Sequence, residues 1–202
     1  KDEFFYYDET LLCSIDELRI PGAHNIGNAI AAIDAVWAFT QDVEAIKSGL
    51  NNFKGLPHRL SFVREVNNVR YYDDSIATTP SSAIAGLRAF GDVAKVIILG
   101  GSYKGSDFTE LAKEMLHHDV KAILIGDEAQ RIAAAFDAAV FTSYEILATP
   151  VSGSIAEAMT KRAAEVAEPG GVVLLSPSAA SFGLFKNYAD RGDQFIAAVE
   201  KL

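Results

Sequence analysis

The run Val96-Ile97-Ile98-Leu99 is one of three short, continuously apolar segments within residues 60–202 of the chain. Residues 122–125 and 172–175 form the other two, and segments with a helical pattern lie between them. A strand that is apolar along its whole length is buried on both faces, as in a parallel sheet covered by helices on both sides. Because crossovers between parallel strands are right-handed, the pattern predicts an α/β fold with a Rossmann-like, mostly parallel sheet.

The same alternation extends over residues 60–202. The predicted strands are residues 60–65, 69–72, 95–99, 120–125, 139–141 and 172–175, and the predicted helices are residues 80–90, 109–117, 128–136, 154–168 and 182–201. We expect Thr109 to cap the helix that it begins. Two β-rich runs (4–7 and 11–15) and two helical patterns (25–39 and 42–51) come first. Gly55 and Pro57 then interrupt the pattern, which predicts a boundary between residues 1–55 and residues 56–202.

Composition limits the class of protein and the kinds of partner. Of 202 residues, 50% are hydrophobic and 22% are charged, which predicts a folded core. The net charge of −9 argues against binding to nucleic acid or to an anionic membrane. Cys13 is the only cysteine, so the sequence predicts neither an intramolecular disulfide nor a thiolate metal site, and a reducing cytoplasm fits. The chain begins at Lys1 just before strand-like residues, which we interpret as the start of a fragment.

Polar clusters follow three of the predicted strands. They are Asp73-Asp74-Ser75-Ile76-Ala77-Thr78-Thr79, the glycine-rich residues 100–107, and residues 176–192, which begin Ser176-Pro177-Ser178-Ala179-Ala180-Ser181. Open parallel sheets bind ligands at the carboxyl ends of their strands. The sequence therefore predicts that these clusters meet at one edge of the sheet and form a binding site there.

The residue types in these clusters indicate an anionic ligand. Lys104 lies in a glycine-rich loop and suits a carboxylate or a phosphate, although the loop fits neither GxxxxGK[ST] nor GxGxxG. The hydroxyl group of Ser181 can donate to a carboxylate, and the N-terminus of the helix predicted beside it favours an anion. The rings of Phe182 and Tyr188 can form walls of the pocket.

Two motifs nearer the N-terminus complete the set of candidates. Arg59, in Leu-Pro-His-Arg, suits a bidentate or stacked contact with a nucleotide. His58 beside it would, taken by itself, more often be structural. Asn25 can cap the helix that follows it, can contact a ligand, or can do both.

Together these motifs resemble those of the Mur ligases, the ATP-dependent enzymes that build the peptidoglycan stem peptide. The resemblance covers essentially the whole chain, and it is most specific in the LGG loop that carries Lys104 and in the SPSAAS run that ends at Ser181. It is greatest to the members that add D-glutamate to UDP-N-acetylmuramoyl-L-alanine with ATP and Mg²⁺. Four positions differ: Ile76 stands where those members have a lysine, Gly183 where they have an aspartate, Asp73 where they have an asparagine, and Tyr188 where phenylalanine is common.

The resemblance implies roles for nine residues. The nucleotide-binding residues would be Asn25, His58, Arg59 and Asp74, and the amino-acid-binding residues would be Thr78, Lys104, Ser181, Phe182 and Tyr188. The chain would contain no catalytic residue and no metal ligand, because the P-loop, the Mg²⁺ ligands and the carbamylated lysine of the family have no counterpart here. Residues 1–55 would be the C-terminal part of a central ATP-binding domain, and residues 56–202 the whole amino-acid-binding domain.

The reaction implied by the resemblance has two steps. ATP phosphorylates the carboxylate of UDP-N-acetylmuramoyl-L-alanine, and the amine of D-glutamate then attacks the acyl phosphate. We expect the 202 residues by themselves to be inactive. Two alternatives remain open: a related ligase that adds a different amino acid, which Ile76 would explain, and a non-catalytic Rossmann-like module that binds a nucleotide or an amino acid.

Overall fold

A computed structural model describes residues 3–20, 22–149 and 154–202 of the chain. The chain divides into two units, Lys1–Leu56 and Pro57–Leu202, and this division lies one residue from the predicted boundary. Within the described residues, none of the helices is long and apolar enough to cross a membrane.

The first unit consists of a hairpin and two helices. Its elements are β1 (Phe4–Tyr7), β2 (Thr10–Ser14), α1 (Ala23–Trp37) and α2 (Val43–Asn52). The two strands are antiparallel, and Cys13 lies in the small core with Phe5 and Ile33. The Asp42 side chain accepts from the Ala45 N–H and caps α2. The start of α1 is different, because its N-cap is Gly22; Asn25 lies inside the helix, so the prediction that Asn25 caps it is wrong.

The second unit is built on a six-stranded sheet with the strand order β3-β4-β8-β5-β6-β7. Its strands are β3 (Ser61–Val66), β4 (Val69–Asp73), β5 (Lys95–Gly100), β6 (Val120–Ile125), β7 (Tyr144–Ile146) and β8 (Val172–Leu175). Only β3 is antiparallel to its neighbour; the pairs β4–β8, β8–β5, β5–β6 and β6–β7 are parallel. The predicted α/β fold with a mostly parallel sheet is therefore confirmed.

Helices cover both faces of this sheet. They are α3 (Pro80–Arg88), α4 (Thr109–Met115), α5 (Ala129–Ala138), α6 (Ile155–Val166) and α7 (Tyr188–Glu200). Successive side chains of a strand point to opposite faces. Accordingly, Ile97 packs in one core with residues of α3, α4 and α5, whereas Ile98 packs in a second core with residues of α6 and α7. This double burial explains why the strands read as continuous apolar runs.

The structure corrects two of the predicted elements. Residues 139–141 are not a strand but the turn that follows α5, with Val140 in the left-handed region (φ 63°) and Phe141 packed edge-on against Phe136; the strand comes later, as β7. The last helix begins at Tyr188 rather than at residue 182. Gly183 (φ 87°) interrupts a helical path, and the Asn187 side chain accepts from the Asp190 N–H to cap α7.

The cap of α4 also differs from the prediction. Its N-cap is Phe108, which makes no side-chain capping bond, so Thr109 is not the cap. Instead Asp107 Oδ1 accepts from the backbone N–H of Thr109 (2.9 Å) and from its hydroxyl group (2.6 Å). A carboxylate is the stronger acceptor near a helix N-terminus, which explains why Asp107 takes this place.

Gly100 is the position where the fold depends most clearly on the absence of a side chain. It ends β5 with φ 110°, and a Cβ atom there would overlap the carbonyl group of Ile125 on β6. We predict that Gly100→Ala lowers the free energy of unfolding by more than 2 kcal/mol, because backbone strain adds to a clash that backbone atoms cannot relieve.

The matched control is Gly183→Ala, since Gly183 also has positive φ but no atom within 4 Å of a built Cβ. Urea unfolding of the 202-residue chain, followed by circular dichroism, compares the two variants. Equal losses of stability would contradict the role assigned to the Ile125 carbonyl.

Candidate functional site

Three loops meet at the carboxyl edge of the sheet. We name them the β4 loop (residues 74–79), the β5 loop (residues 101–108) and the β8 loop (residues 176–187). Backbone hydrogen bonds join them in sequence: Ser178 N–H donates to Ala77 O (2.8 Å), and Ser102 N–H donates to Ala180 O (2.9 Å). The β8 loop thus lies between the other two, as β8 lies between β4 and β5.

The side chain of Arg191, on α7, forms hydrogen bonds with both the β4 loop and the β8 loop. Its side chain is completely buried. Nε donates to Ser75 Oγ (2.9 Å) and Nη2 to Ser75 O (2.8 Å), while Nη1 reaches Ala179 O (3.2 Å) and Ala180 O (3.4 Å). Burial lowers the pKa of Arg191 to about 10, so the group stays protonated at neutral pH. The sequence analysis assigned no role to this residue.

A buried carboxylate at the end of β4 anchors the segment that enters the second unit. Asp73 Oδ2 lies 2.7 Å from His58 Nδ1, and Asp73 Oδ1 accepts from the Ser75 N–H (2.9 Å). Burial raises the pKa of Asp73, and the hydrogen bond with His58 opposes that rise. Gly192 on α7 leaves the space for this pair, because a Cβ there would collide with the His58 ring and lie 2.7 Å from Asp73 Oδ2.

Asp74 forms a second buried anchor beside the first. Its Oδ1 accepts from Leu60 N–H (3.2 Å) and its Oδ2 from Ser176 Oγ (2.7 Å). Burial raises the pKa of Asp74 to about 7. Gly86 on α3 makes room here, since a Cβ would lie 3.1 Å from both Asp74 Oδ2 and Ser176 Oγ. The carboxyl group is therefore turned into the protein, not toward solvent.

These two anchors hold Arg59 on the surface. The residues on either side of it, His58 (φ 61°) and Leu60 (φ 45°), have left-handed backbone conformations that cost free energy for non-glycine residues. Hydrogen bonds from Ile76 N–H to His58 O (3.1 Å) and from Leu60 N–H to Asp74 compensate. The side chain of Arg59 is exposed, so it is available to an anionic ligand.

The predicted amino-acid-binding residues are spread over all three loops. Thr78 is half-buried in the β4 loop and Lys104 is exposed in the β5 loop. In the β8 loop, Ser181 is buried and Phe182 is 66% exposed. Tyr188 follows at the start of α7, with its ring edge-on to His58 at 6.1 Å between centroids and its carbonyl accepting from Ser75 Oγ (2.7 Å). The backbone hydrogen bonds described above therefore link the segments that carry these five residues.

Two sequence-based placements change. Ser181 does not adjoin a helix N-terminus, because α7 begins at Tyr188, and the prediction of a helix-terminal anion site beside Ser181 is wrong. Asn25 lies in the first unit, on α1, where its side chain accepts from Asn28 (3.1 Å). The other eight candidates lie in the second unit.

Two buried residues that support the site, Arg191 and Glu128, were not predicted from the sequence, although the position of each is recognisable in it. Arg191 precedes Phe195, Ala198 and Val199 by four, seven and eight positions, which places it on the buried stripe of α7. Glu128 follows β6 at the same sheet edge, is fully buried, and accepts from the Lys104 N–H (2.9 Å). A charged residue at either position needs a partner inside the protein.

The environment of Asp74 predicts a dependence of stability on pH. The pKa of Asp74 is about 7 in the folded state and about 3.9 in an unfolded chain, so the folded state binds the proton more tightly between these values. The contribution of Asp74 to stability is complete below about pH 4 and is lost as the pH rises to 7, by at most about 1.4 kcal/mol per pH unit.

We expect Asp74→Asn to remove this contribution, so that the variant matches or exceeds the wild-type stability at pH 8 but not at pH 4. Urea unfolding at a series of pH values measures the difference, and a ¹³C NMR titration of the Asp74 carboxyl carbon gives the pKa directly. A titration midpoint below pH 5 would contradict this account.

The sequence of the chain matches a known protein family and named relatives. The family model described as "Mur ligase, glutamate ligase domain" matches residues 58–179, which include the β4 and β5 loops and the start of the β8 loop. The UDP-N-acetylmuramoylalanine–D-glutamate ligase of Clostridium tetani is 38% identical over 208 residues, which cover 100% of this chain and 45% of the relative. The enzyme of the same name from Pelotomaculum thermopropionicum is 42% identical, over 95% of this chain and 41% of the relative.

A solved structure shares the fold at lower sequence identity. The MurF ligase of Thermotoga maritima, solved in complex with ADP, is 19% identical with a TM-score of 0.62, over 100% of this chain and 45% of that one. The chain thus spans less than half the length of each of these three proteins. Because the family model matches more than half of its residues, the chain belongs to the Mur ligase family and contains its glutamate ligase domain.

Proposed function

We propose that the chain is the amino-acid-binding part of an ATP-dependent ligase that joins D-glutamate to UDP-N-acetylmuramoyl-L-alanine in peptidoglycan synthesis. The observation that carries this proposal is the joining of the Lys104 loop and the Ser181 loop at one sheet edge by backbone hydrogen bonds. The relatives named as D-glutamate ligases support the choice of substrate. The cytoplasm, where ATP is abundant, is the proposed location.

The chemistry of D-glutamate fits the side chains available. The substrate has two carboxylates and an amine, so its site needs at least one cation and several hydroxyl donors. The exposed Lys104 would contact one carboxylate, while the hydroxyl groups of Ser181 and Thr78 would donate to the substrate. Phe182 and Tyr188, both exposed in this structure, would form the walls. In this arrangement the chain fixes the position of the attacking amine, and positioning is a major source of rate in such reactions.

Residues for the nucleotide are only partly present in the chain. Arg59 is exposed, and its neighbours His58 and Leu60 are held by Asp73 and Asp74, which fits contact with a phosphate or an adenine ring. The MurF ligase of Thermotoga maritima, which shares this fold, was solved in complex with ADP, and this supports a nucleotide as a ligand of the full-length enzyme. Asp74 would act through Leu60 and Arg59, because its own oxygens already accept from protein donors.

ATP would supply the phosphoryl group that activates the acceptor carboxylate, and Mg²⁺ would accompany it. The residues that the structure describes contain no group of three or more His, Cys, Asp and Glu side chains able to hold a metal ion. As the resemblance implies, we propose that the Mg²⁺ ligands lie outside this chain, whose sequence also has no GxxxxGK[ST] motif. The proposal accordingly includes that the 202 residues alone do not catalyse ligation.

The first unit would belong to the central ATP-binding domain. Its core is small, and an apolar groove of about 380 Å³ between α1 and α2 is lined by residues such as Ala29, Ile33, Ile46 and Leu50. A unit of this size buries a smaller fraction of its surface than a larger domain does, so its stability by itself is marginal. This supports a role for residues 1–55 as one part of a larger domain that carries Asn25 toward the nucleotide.

A related ligase for another amino acid is the second candidate, and one observation favours it. Ile76 is 37% exposed on the β4 loop and cannot pair with a carboxylate, whereas the resemblance places a lysine there. The substrate would then have one carboxylate fewer to neutralise.

Phosphate release by the full-length enzyme tests both candidates. UDP-N-acetylmuramoyl-L-alanine and ATP are supplied with D-Glu, L-Glu, D-Asp, L-Lys or meso-diaminopimelate. We predict release that depends on D-Glu alone, and a KM for D-Glu that rises about 10- to 100-fold in Lys104→Met, because a charge-assisted hydrogen bond of about 1.5–3 kcal/mol is lost. Ser181→Ala should raise the same KM by a smaller factor.

Lys201→Met is the matched control, because Lys201 is an exposed lysine at the end of α7 that pairs with Glu157. The KM for ATP should stay unchanged in all three variants. Phosphate release that requires a different amino acid would select the second candidate function. Phosphate release that needs no amino acid would contradict both candidate functions.

A further inference from the structure

Glu128 is a buried acid placed directly behind the Lys104 loop. It follows β6, precedes α5, and its side chain is fully buried. Its Oε1 accepts from the Lys104 backbone N–H at 2.9 Å, and its backbone N–H donates to Gly101 O at 3.1 Å. A buried carboxylate is costly unless its partners compensate. Neither the hydrogen bonds between strands nor the apolar core requires an acidic residue at position 128. The hydrogen bonds that Glu128 makes therefore explain why an acid is present there.

Arg131, one turn further along α5, supplies the compensating charge. Its Nη1 lies 3.2 Å from Glu128 Oε1 and 3.0 Å from Oε2. Its Nη2 donates to Ser106 O at 2.9 Å, and its guanidinium carbon lies 4.9 Å from the centroid of the Tyr103 ring. The Glu128–Arg131 pair therefore contacts residues 103, 104 and 106, on both sides of Lys104.

The backbone of this loop has little rigidity of its own. Gly101 (φ 149°) and Gly105 (φ 74°) flank the segment in conformations that L-residues rarely adopt. Glycine residues allow an unrestrained loop many backbone conformations, so fixing this loop in one conformation costs conformational entropy. Lys104 has a long, flexible side chain as well. A fixed position for its ammonium group thus depends on contacts that hold its backbone.

Electrostatics adds a second requirement. A carboxylate behind the loop would repel an anionic substrate bound at Lys104, and a buried site screens that repulsion poorly. The contact of Arg131 Nη1 with both carboxylate oxygens neutralises Glu128, which leaves the charge of Lys104 free to attract the substrate. The pair can therefore fix the loop without weakening its affinity for anions.

We propose that Glu128 and Arg131 are positioning residues that hold the backbone of Lys104 so that its ammonium group meets the carboxylate of the amino-acid substrate. This inference rests on the proposed function, because it assigns Lys104 to that carboxylate. Neither residue touches the substrate; each acts through the β5 loop.

The test compares KM values in the full-length enzyme by phosphate release. Glu128→Ala and Arg131→Met should each raise the KM for D-Glu about tenfold, with kcat and the KM for ATP within about twofold of wild type. Glu128→Gln should raise it less, since its amide oxygen can still accept from the Lys104 N–H. In a Lys104→Met background, Glu128→Ala should change the KM for D-Glu by less than about twofold, because the group it positions is gone.

Arg162→Met provides the control for loss of an arginine–glutamate pair outside the site, since Arg162 binds Glu145 through two bonds of 2.6 and 3.0 Å. An unchanged KM in Glu128→Ala, a parallel rise in the KM for ATP, or an equal effect in the Lys104→Met background would each overturn the proposal. If wild type uses another amino acid, the KM for that amino acid is measured instead.

Amide hydrogen exchange separates failure of this inference from failure of the proposed function. In the 202-residue chain, the Lys104 amide should exchange at least about tenfold faster in Glu128→Ala than in wild type or Arg162→Met. Unchanged exchange overturns the positioning contact whatever the enzyme's substrate. A second outcome is faster exchange of the Lys104 amide together with phosphate release by the full-length enzyme that does not depend on an amino acid. This outcome would disprove the proposed function and the assignment of Lys104, but not the contact between Glu128 and the Lys104 N–H.

Discussion

The hydrogen bonds of one buried guanidinium, that of Arg191, support the arrangement of the whole site. Taking an arginine out of water is costly, and no carboxylate among the described residues forms a hydrogen bond with it. Its donors instead satisfy the hydroxyl and carbonyl of Ser75 and the carbonyls of Ala179 and Ala180. These oxygens belong to loops that follow different strands, so the position of each loop depends on the same group. Without the guanidinium, the carbonyl groups of Ser75 and Ala179 would lose this donor, each at a cost of about 1–3 kcal/mol, whereas the Ala180 carbonyl would keep the Ser102 N–H.

Charged groups in this domain fall into two sets with different tasks. At the carboxyl edge of the sheet the buried set includes Asp73, Asp74, Glu128 and Arg191, and these residues bind backbone and side-chain groups of the protein. The exposed set includes Arg59 and Lys104, which remain available to ligands. Two glycines on helices, Gly86 and Gly192, provide the space for the buried carboxylates. The buried set fixes the shape of the site and the exposed set gives it a positive charge in a chain whose net charge is −9.

Much of the fold could be predicted from the sequence, because strands buried on both faces have an unmistakable pattern. The predicted strands at residues 120–125 and 172–175 match β6 and β8 at both ends. The predictions failed where a single polar side chain determines how a helix begins. Asp107, rather than Thr109, accepts the hydrogen bonds at the start of α4, and Asn187 caps α7, which begins six residues later than predicted.

The candidate site was predictable in outline but not in its supporting residues. Strand polarity alone placed the three loops at one edge. The burial of Asp74 could not be read from the sequence, because its partners, Leu60 and Ser176, are 14 and 102 positions away. Arg191 lay on a recognisable apolar stripe, yet which loops it joins depends on long-range contacts that no local pattern encodes.

The central claim is that Arg191 holds the β4 and β8 loops together, and amide hydrogen exchange of an Arg191→Met chain tests it most directly. Methionine keeps much of the volume but none of the donors. We predict that the amides of Ser75 and Ser178 exchange at least about tenfold faster than in wild type, while those of Ile98 and Ile123 in the central strands are unchanged. If the Arg191→Met chain does not fold, Arg191→Lys is used in its place. Equal exchange rates at Ser75 and Ser178 in wild type and variant would contradict the claim.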